Sequence, residues 1–526
     1  MSFLKSVATI SGWTALSRIL GFVRDVFVAK FLGASMMADS FFVALRFPNL
    51  FRSLFGEGAF NVAFVPIFTE ILRKDGQQKA KQFGQEAFCF MLYILLFFVA
   101  LVELIMPFLM FILTPGFSEI PGKLELTTYL SRITFPFLLT VSLVTVLSGI
   151  LNSLGKFWAP AFVMVIFNVV MIGSLFLITP LLPGEDAPAV ALSIGVTLSG
   201  VLELIFLWSY LKKNKFTFNL ISPFKTLFRF GVHMKELLKK MLPGIFGAGV
   251  YQINLFLDTF FVSFVGAGAM SWLNYANRLF QLPIAIIAVA MGTALLPVLS
   301  RHIKSGFEKE AHHQLNRAIE LSVLMSFSSM IGLALLAFPI VVFLFQRGAF
   351  EHYDSLQTTS ALIIFSFGLP AYMLTKTVST LFYAKGDTKT PVKIAIVSVA
   401  LNSILAFTFM QFLGYKGIAL ATSITAYVSV IQYVCRVKKE NKFHLDISCC
   451  RKIPRIVFSC LLMGLFVWAV KLGLNTFWSE WLDLSFLYGM LMLGGIIALS
   501  GCVLAVSLIL TRSYSLSELK SLLRRS

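Results

Sequence analysis

Eight basic residues stand on or within apolar stretches of the chain, and six of them could bind an anion. They are Arg18, Arg24, Arg46, Arg52, Arg278 and Lys376. A charged side chain at the centre of a bilayer costs about 3 kcal/mol on insertion scales, so such residues usually face a polar cavity or an opposite charge. Arginine suits phosphate in particular, because its planar guanidinium group donates two parallel hydrogen bonds. This set therefore predicts a site for an anion that contains phosphate or diphosphate.

Fewer carboxylates share these stretches. They are Asp25, Asp39, Glu57 and Asp258. Arg18 and Asp25 are seven residues apart, as are Asp39 and Arg46, which places each pair on one stripe of a helix. Structural ion pairs within these stripes are the alternative interpretation. Because the basic residues outnumber the acidic ones, we expect a cavity with net positive charge.

Asp258 has a second interpretation as part of a candidate sodium site. It could bind the ion together with Asn402 and Thr422 if the three spans meet. The sequence contains no Walker A, HExxH or other catalytic pattern. It predicts neither ATP hydrolysis nor covalent catalysis, and no cofactor other than this candidate ion. Glu103 and Glu203, each near the end of a span, are interpreted as interfacial.

The composition places all these residues in a membrane. The chain has 526 residues, of which 58% are hydrophobic and 13% charged, and apolar runs long enough to span a bilayer recur along it. We predict an all-α polytopic protein with fourteen transmembrane helices. Their approximate ranges are 7–32, 36–66 with a break near Pro48, 85–113, 126–152, 158–181, 188–211, 241–265, 269–299, 318–345, 357–384, 391–413, 417–435, 453–474 and 484–511.

The distribution of Lys and Arg orients these spans. With the N-terminus in the cytoplasm, 32 of the 44 basic residues fall in cytoplasmic connections. The outer connections contain Lys123, Arg347, Lys416 and Lys471. The positive-inside rule then places both termini in the cytoplasm, and contact with anionic lipid explains the net charge of +19 without nucleic acid. Since Lys123 falls in an outer connection, we expect Lys123→Ala to leave function intact.

The chain contains an internal repeat. DVFVAKFLGA at 25–34 is similar to DTFFVSFVGA at 258–267, an offset of 233 residues. An offset of 231 relates Pro66 to Pro297 and Gly155 to Gly386. We therefore predict two parallel six-span repeats around a central cavity, an N-lobe at 1–215 and a C-lobe at 216–445. A two-helix addition follows at 446–526.

Several motifs are similar to those of one known family. They are SRILGFVRD at 17–25, ADSFF with RFPNLFR and EGAFNVAFVPIF, ANRLFQLP, and KGDTKTPVKIA at 385–395. These motifs resemble lipid II flippases of the MurJ (MviN) family, within the MOP transporter superfamily, over essentially the whole chain. The resemblance implies a flippase of the bacterial cytoplasmic membrane. It would carry undecaprenyl-diphosphate-linked disaccharide-pentapeptide to the outer leaflet by alternating access, with the lipid tail in a groove at the last two spans.

The same resemblance assigns roles to residues. The essential arginines of the family fall on Arg18, Arg24, Arg52 and Arg278, the essential aspartate on Asp39, and the gate-forming glutamate on Glu57. We add Ser17, Arg46 and Lys376 to the substrate-binding set and Asp25 to the gate. Sodium coupling is disfavoured, because the second carboxylate that part of the family has near Ala406 is missing.

Three other functions remain open at this point. A cation or drug antiporter would favour acidic or aromatic cavity residues, which the arginine excess opposes. An exporter of another polyprenyl-diphosphate sugar would have the same charges. A scaffold for cell-wall synthases would tolerate substitution of the arginines. We expect a monomer whose partners are lipid II, the membrane and proteins of cell-wall synthesis.

Overall fold

The computed structural model describes residues 3–52, 59–218, 231–439, 445–473, 486–515 and 518. These residues are almost entirely helical and contain no β-strand. The α-helices of the described ranges are α1 Phe3–Leu32, α2 Met36–Arg52, α3 Ala59–Lys74, α4 Gln77–Leu113, α5 Lys123–Thr134, α6 Phe137–Ser153, α7 Trp158–Leu177, α8 Ala187–Lys213, α9 Val232–Ser263, α10 Ala269–Ala290, α11 Leu296–Lys304, α12 Glu308–Phe345, α13 His352–Ala384, α14 Lys389–Leu413, α15 Tyr415–Lys439, α16 Ile447–Gly473 and α17 Phe486–Leu510. Between α10 and α11 the chain forms a π-helical turn, Met291–Leu295.

Within the described ranges, ten segments are long and apolar enough to cross a bilayer. They are α4, α5 with α6, α7, α8, and each helix from α12 to α17. The remaining predicted spans correspond to α1, α2 with α3, α9, and α10 with α11. Each of these four contains charged residues of the candidate site, which lower its mean hydropathy. The all-α, multi-span class is confirmed, and the count of fourteen stays a prediction.

The helix of the second predicted span is not broken at Pro48. Instead, α2 continues through this proline to Arg52. Proline has no amide hydrogen, so the carbonyl four residues earlier, at Ala44, loses its helical donor. The buried hydroxyl of Thr134 on α5 donates to that carbonyl at 2.8 Å. A side chain from a neighbouring helix thus satisfies the freed backbone group at membrane depth.

The first of two compact units comprises residues 1–271 and 347–350. In this unit α1 packs on α7, α7 and α6 pack on α8, and α2 packs on α5. An aromatic core joins α3 to α4. The rings of Phe60 and Phe64 stack with centroids 4.9 Å apart, and those of Phe64 and Phe83 with centroids 5.4 Å apart. These packed helices position most of the candidate site residues.

The second unit comprises residues 272–346 and 351–526. Here α12 packs on α13, both α13 and α14 pack on α15, and α16 packs on α12 and α17. The two last helices are therefore attached to the unit through α12. The predicted lobe boundaries at residues 215 and 445 were drawn from the sequence repeat, whereas the two units are defined by their internal contacts. The lobe boundaries therefore stay a prediction.

Two helix ends repeat the same backbone geometry 231 residues apart. After α6, Gly155 has φ 71°, and the N–H of Lys156 donates to the carbonyl five residues earlier at 2.8 Å. After α13, Gly386 has φ 75°, and the N–H of Asp387 donates to the carbonyl five residues earlier at 2.9 Å. Both ends are Schellman caps, in which glycine takes the left-handed conformation. Their correspondence supports the predicted duplication.

One hydrogen bond between helices is also repeated. Thr197 donates from its hydroxyl to the carbonyl of Ile133 in the first unit. Ser423 donates to the carbonyl of Ile364 in the second unit, and the two acceptors are again 231 residues apart. Each hydrogen bond joins two helices within its own unit, and the acceptors, though not the donors, keep the offset of the repeat.

Candidate functional site

A buried cluster lies where α1 packs against α7. We call Ser17, Arg24, Asp25 and Asn168 the arginine cluster. Each is at most 9% exposed. Ser17 and Arg24 lie on one face of α1, since they are two turns apart, and Asp25 is the neighbour of Arg24 in the chain. Gly21 lies on the same face, where a Cβ atom would stand 3.5 Å from Oδ1 of Asn168, so α1 approaches α7 closely.

Arg24 makes three hydrogen bonds within this cluster. Its Nε and Nη2 donate to Oδ1 of Asp25 at 3.1 and 2.8 Å, and its Nη1 donates to Oδ1 of Asn168 at 3.0 Å. The ring of Phe167 lies with its centroid 5.5 Å from Cζ of Arg24, a favourable cation–π distance. A guanidinium group has five N–H donors. Among the residues that the structure describes, two donors of Arg24 therefore have no acceptor.

Asn168 connects the two helices of the cluster. Its Nδ2 donates to the carbonyl of Met164 at 2.9 Å and to the carbonyl of Ser17 at 3.1 Å. Carbonyl oxygens can only accept, so the amide nitrogen must face them and Oδ1 must face Arg24. The surrounding backbone therefore fixes the orientation of this amide.

The structure does not contain the ion pair of Arg18 with Asp25 that helical spacing allowed. Asp25 pairs with the adjacent Arg24, at 2.8 Å. Arg18 is exposed and, among the described residues, forms no ion pair with Asp25. Arg18 shares a stripe of α1 with Asp25 but lies two turns away, and the adjacent Arg24, on the face of α1 that packs against α7, pairs with Asp25 instead.

Two further predicted arginines lie on α2. Nη1 of Arg46 donates to the hydroxyl of Thr259 on α9 at 2.9 Å. Nε of Arg52 donates to Oδ1 of Asn49, three residues earlier, at 3.0 Å. Both side chains are partly buried. Their roles in substrate binding stay predictions.

A second buried cluster surrounds the aspartate of α2. We call Asp39, Lys123, Gly268 and Ser271 the aspartate cluster. Oδ2 of Asp39 lies 2.8 Å from Nζ of Lys123 and accepts the N–H of Gly268 at 2.8 Å. Oδ1 accepts the N–H of Ser271 at 2.9 Å and its hydroxyl at 2.7 Å. The cluster therefore joins α2, α5 and the start of α10 within the first unit.

The carboxylate of Asp39 is saturated by these contacts. A carboxylate offers about four lone-pair positions, and four donors occupy them here. Two of the donors are backbone N–H groups at the N-terminus of α10, where a negative charge is favourable. The alternative pair of Asp39 with Arg46 is therefore wrong, and the binding role assigned to Asp39 stays a prediction.

The structure gives Lys123, which the sequence places in an outer connection, a buried ion pair that argues against the expectation that Lys123→Ala leaves function intact. Its side chain is fully buried, and Nζ lies 3.9 Å from the ring centroid of Phe117 as well as against Asp39. Removing one member of a buried ion pair leaves the other charge uncompensated. Charge counting alone could not identify this, since it assigns a residue to a side of the membrane and not to a partner.

Backbone contacts at the same end of the first unit depend on glycine. Gly33 and Gly348 both have φ near 60°, at 60° and 58°. A Cβ atom at Gly33 would collide with the carbonyl of Ala349, and one at Gly348 with the carbonyl of Lys30. The N–H of Ala349 donates to the carbonyl of Lys30 at 2.9 Å. This end of α1 is therefore held by contacts that leave no room for a side chain.

The remaining predicted binding and gate residues are less constrained. Arg278 and Lys376 belong to the second unit and are exposed. Glu57, the predicted gate residue, lies outside the described residues. The contribution of these three residues to a site stays a prediction.

The candidate sodium ligands belong to different units. Asp258, in the first unit, accepts a hydrogen bond from Nδ2 of Asn254 at 3.1 Å. Asn402 and Thr422 belong to the second unit, where the hydroxyl of Thr422 donates to a carbonyl of its own helix. Among the described residues, no group of three or more His, Cys, Asp and Glu side chains is arranged for a metal ion. The sodium site stays a prediction.

Sequence reasoning missed three buried polar residues of the first unit. Asn168 stands alone in the apolar run FVMVIFNVVMIG, and that isolation was the available signal. Ser271 is fully buried against Asp39. Glu203, interpreted as interfacial, is only 2% exposed and close enough to Arg52 for an electrostatic interaction. A polar residue within a span signals a partner, but its identity requires the fold.

The all-helical fold with buried charges between many spans is that of a membrane transporter. A solved multidrug resistance transporter of the MATE family, in the MOP superfamily and in an inward-facing conformation, has a similar fold with a TM-score of 0.67. The match covers 81% of this chain and 95% of that one. Because the identity is 17%, the similarity concerns the fold alone.

The sequence places the chain in one family of this class. The family described as lipid II flippase MurJ matches residues 28–492. A probable lipid II flippase MurJ from Rhizobium tropici is 37% identical over 88% of this chain and 86% of its own length. One from Rickettsia prowazekii is 34% identical over 92% and 93%. A solved lipid II flippase MurJ in an inward closed conformation is 29% identical over 95% of this chain and 99% of that one, with a TM-score of 0.74. The chain therefore belongs to the lipid II flippase MurJ family, and is a transporter rather than an enzyme.

Proposed function

We propose that this protein moves lipid II from the inner to the outer leaflet of the cytoplasmic membrane by alternating access, and that its arginines bind the diphosphate. The names of its relatives support the cargo. A charged head group cannot cross hydrocarbon unaided. In the proposed cycle the head group enters the protein laterally while the prenyl chain stays among the lipids.

The geometry of Arg24 is the observation that best supports diphosphate binding. Its guanidinium group is buried where α1 packs against α7, is held on two sides by Asp25 and Asn168, and has two N–H donors without an acceptor among the described residues. A held guanidinium loses little conformational entropy when it binds a planar or tetrahedral oxyanion. The other residues proposed to bind the head group are the basic Arg18, Arg46, Arg52, Arg278 and Lys376, which would add positive charge, and Ser17, which would add a hydroxyl group.

The aspartate cluster is proposed to close the outer side of the transporter. With both termini in the cytoplasm, the ends of α1, α4 and α9 all face outward. The contacts of Asp39 with Lys123, Gly268 and Ser271 lie at that end. Opening toward the outer leaflet would separate Asp39 from the start of α10. Glu57 and Asp25 are proposed to act in gating.

The membrane potential is the proposed energy source. With the cytoplasm negative, moving one negative charge outward gains about 2.3 kcal/mol per 100 mV. A diphosphate head group can therefore be exported without ATP. Sodium coupling, monomeric action and contacts with cell-wall synthesis proteins stay predictions of the sequence.

Complementation of a strain depleted of its own lipid II flippase tests this function. Arg18→Ala, Arg24→Ala and Arg278→Ala should each abolish growth, whereas the exposed Lys79→Ala should not. A protonophore that collapses the potential should slow lipid II export in cells that express the wild-type chain. Growth with all three alanine variants, at normal expression, would contradict the proposed role of the arginines. Export that is unchanged by the protonophore would contradict the energy source.

A further inference from the structure

We propose that Asn168 is a positioning residue for diphosphate binding, because it holds the guanidinium group of Arg24 with two N–H donors free for the ligand. This inference rests on the proposed function and assigns a role to a residue outside the charged set. Asn168 lies on α7, 144 residues from Arg24 in sequence, and is 5% exposed.

Asp25 alone does not fix the orientation of the Arg24 guanidinium group, so a second hydrogen-bond acceptor is needed. Both hydrogen bonds from Arg24 to Asp25 reach the same oxygen, Oδ1. A guanidinium and a carboxylate that are free to turn prefer the bidentate arrangement, with one N–H on each oxygen. The bond from Nη1 to Asn168, at 3.0 Å, holds the guanidinium away from that arrangement.

Asn168 can act as an anchor because it is itself fixed. Its Nδ2 donates to the carbonyls of Met164 and Ser17, so its Oδ1 cannot exchange places with the nitrogen. The hydroxyl of Ser17 donates to the same Met164 carbonyl at 3.2 Å, which ties α1 to α7 beside the amide. Through Asn168, the backbones of α1 and α7 therefore fix the position of Arg24.

The type of side chain at position 168 is also significant. An amide oxygen accepts from a guanidinium group without cancelling its positive charge. A second carboxylate there would neutralise Arg24 further and weaken its attraction for an anionic lipid. An aliphatic residue would remove the acceptor. Asparagine therefore orients the arginine and preserves its charge.

The test measures equilibrium binding of undecaprenyl diphosphate to the purified full-length chain by native mass spectrometry. Asn168→Ala should weaken binding about tenfold, the effect of losing one hydrogen bond to a charged group. Asn214→Ala is the matched control, since Asn214 makes the same hydrogen bond to the carbonyl four residues earlier on α8 but forms no hydrogen bond with an arginine of the described residues. The control should bind like the wild type.

A double variant separates positioning from general stability. If Asn168 acts by keeping Arg24 from turning onto Asp25, Asp25→Asn in the Asn168→Ala background should restore most of the affinity. Loss without restoration would overturn the inference, as would wild-type binding by Asn168→Ala alone. Should that variant fail to fold, Asn168→Asp replaces it, with a loss of at least tenfold expected and unchanged binding as the contrary result. Wild-type protein that does not prefer undecaprenyl diphosphate to phosphatidylglycerol would instead contradict the proposed function.

Discussion

The arginine cluster and the aspartate cluster are both buried ion pairs of the first unit, but they differ in what they leave unused. Asp39 has four donors around about four acceptor positions, so its carboxylate is saturated. Arg24 uses three of its five N–H donors. The saturated charge can only hold helices together, whereas the partly used charge can also bind a ligand.

This difference shows why a buried charge does not by itself define a binding site. Both clusters combine one cation with one carboxylate, and both are at most 9% exposed. The number of remaining hydrogen-bond positions separates a structural contact from a candidate ligand contact. The comparison indicates a stabilising role for the cluster of α2 and α5, and it leaves the cluster of α1 and α7 as the one for which binding is proposed.

The largest effect is expected from a substitution that breaks the saturated aspartate cluster. Lys123→Ala leaves the carboxylate of Asp39 buried without its counter-charge, which should lower the free energy of unfolding by about 3–5 kcal/mol. Chemical denaturation of the purified protein in detergent measures this change. The matched control is Lys79→Ala, because Lys79 pairs with Asp75 at 3.2 Å but is 67% exposed. Exposed pairs of this kind contribute at most about 1 kcal/mol. Equal destabilisation by the two variants would contradict the assignment.

A substitution with a smaller expected effect tests whether close backbone packing at Gly348 stabilises this end of the first unit, as the ion pair of Asp39 and Lys123 does. Gly348→Ala forces a residue with a side chain into a left-handed conformation, at a cost of about 1–2 kcal/mol, and adds a collision with the carbonyl of Lys30. Thermal unfolding should therefore occur at a lower temperature. Gly173→Ala, within α7 and with open space around it, is the control and should be neutral or stabilising. An unchanged melting temperature for Gly348→Ala would show that the contact is dispensable.

The sequence predicted the helices, the duplication and the arginines as residues that need a partner. Apolar runs determine spans because the bilayer requires them. The repeat was visible at Gly155 and Gly386, and both positions have the left-handed conformation that only glycine adopts easily. These features are local or depend on one periodicity, so no tertiary information is required.

The partners of the charges could not be predicted in the same way. Asp39 and Lys123 are 84 residues apart, and their pairing depends on how α2 packs against α5. Helical spacing suggested Arg18 as the partner of Asp25, but Asp25 pairs with the adjacent Arg24, whose guanidinium group is also held by Asn168 of α7. Asn168 gave a signal only as an isolated polar residue. Pairing across helices is a tertiary property, which one sequence leaves open.

The most direct test of the central claim compares the binding of undecaprenyl diphosphate with that of undecaprenyl phosphate, for the wild type and for Arg24→Lys. Lysine keeps the charge but lacks the planar fork of donors. We predict that the wild type prefers the diphosphate and that Arg24→Lys loses this preference by about tenfold while it remains folded. The same preference in both proteins would contradict the account, because it would mean that the unused donors of Arg24 do not bind the diphosphate.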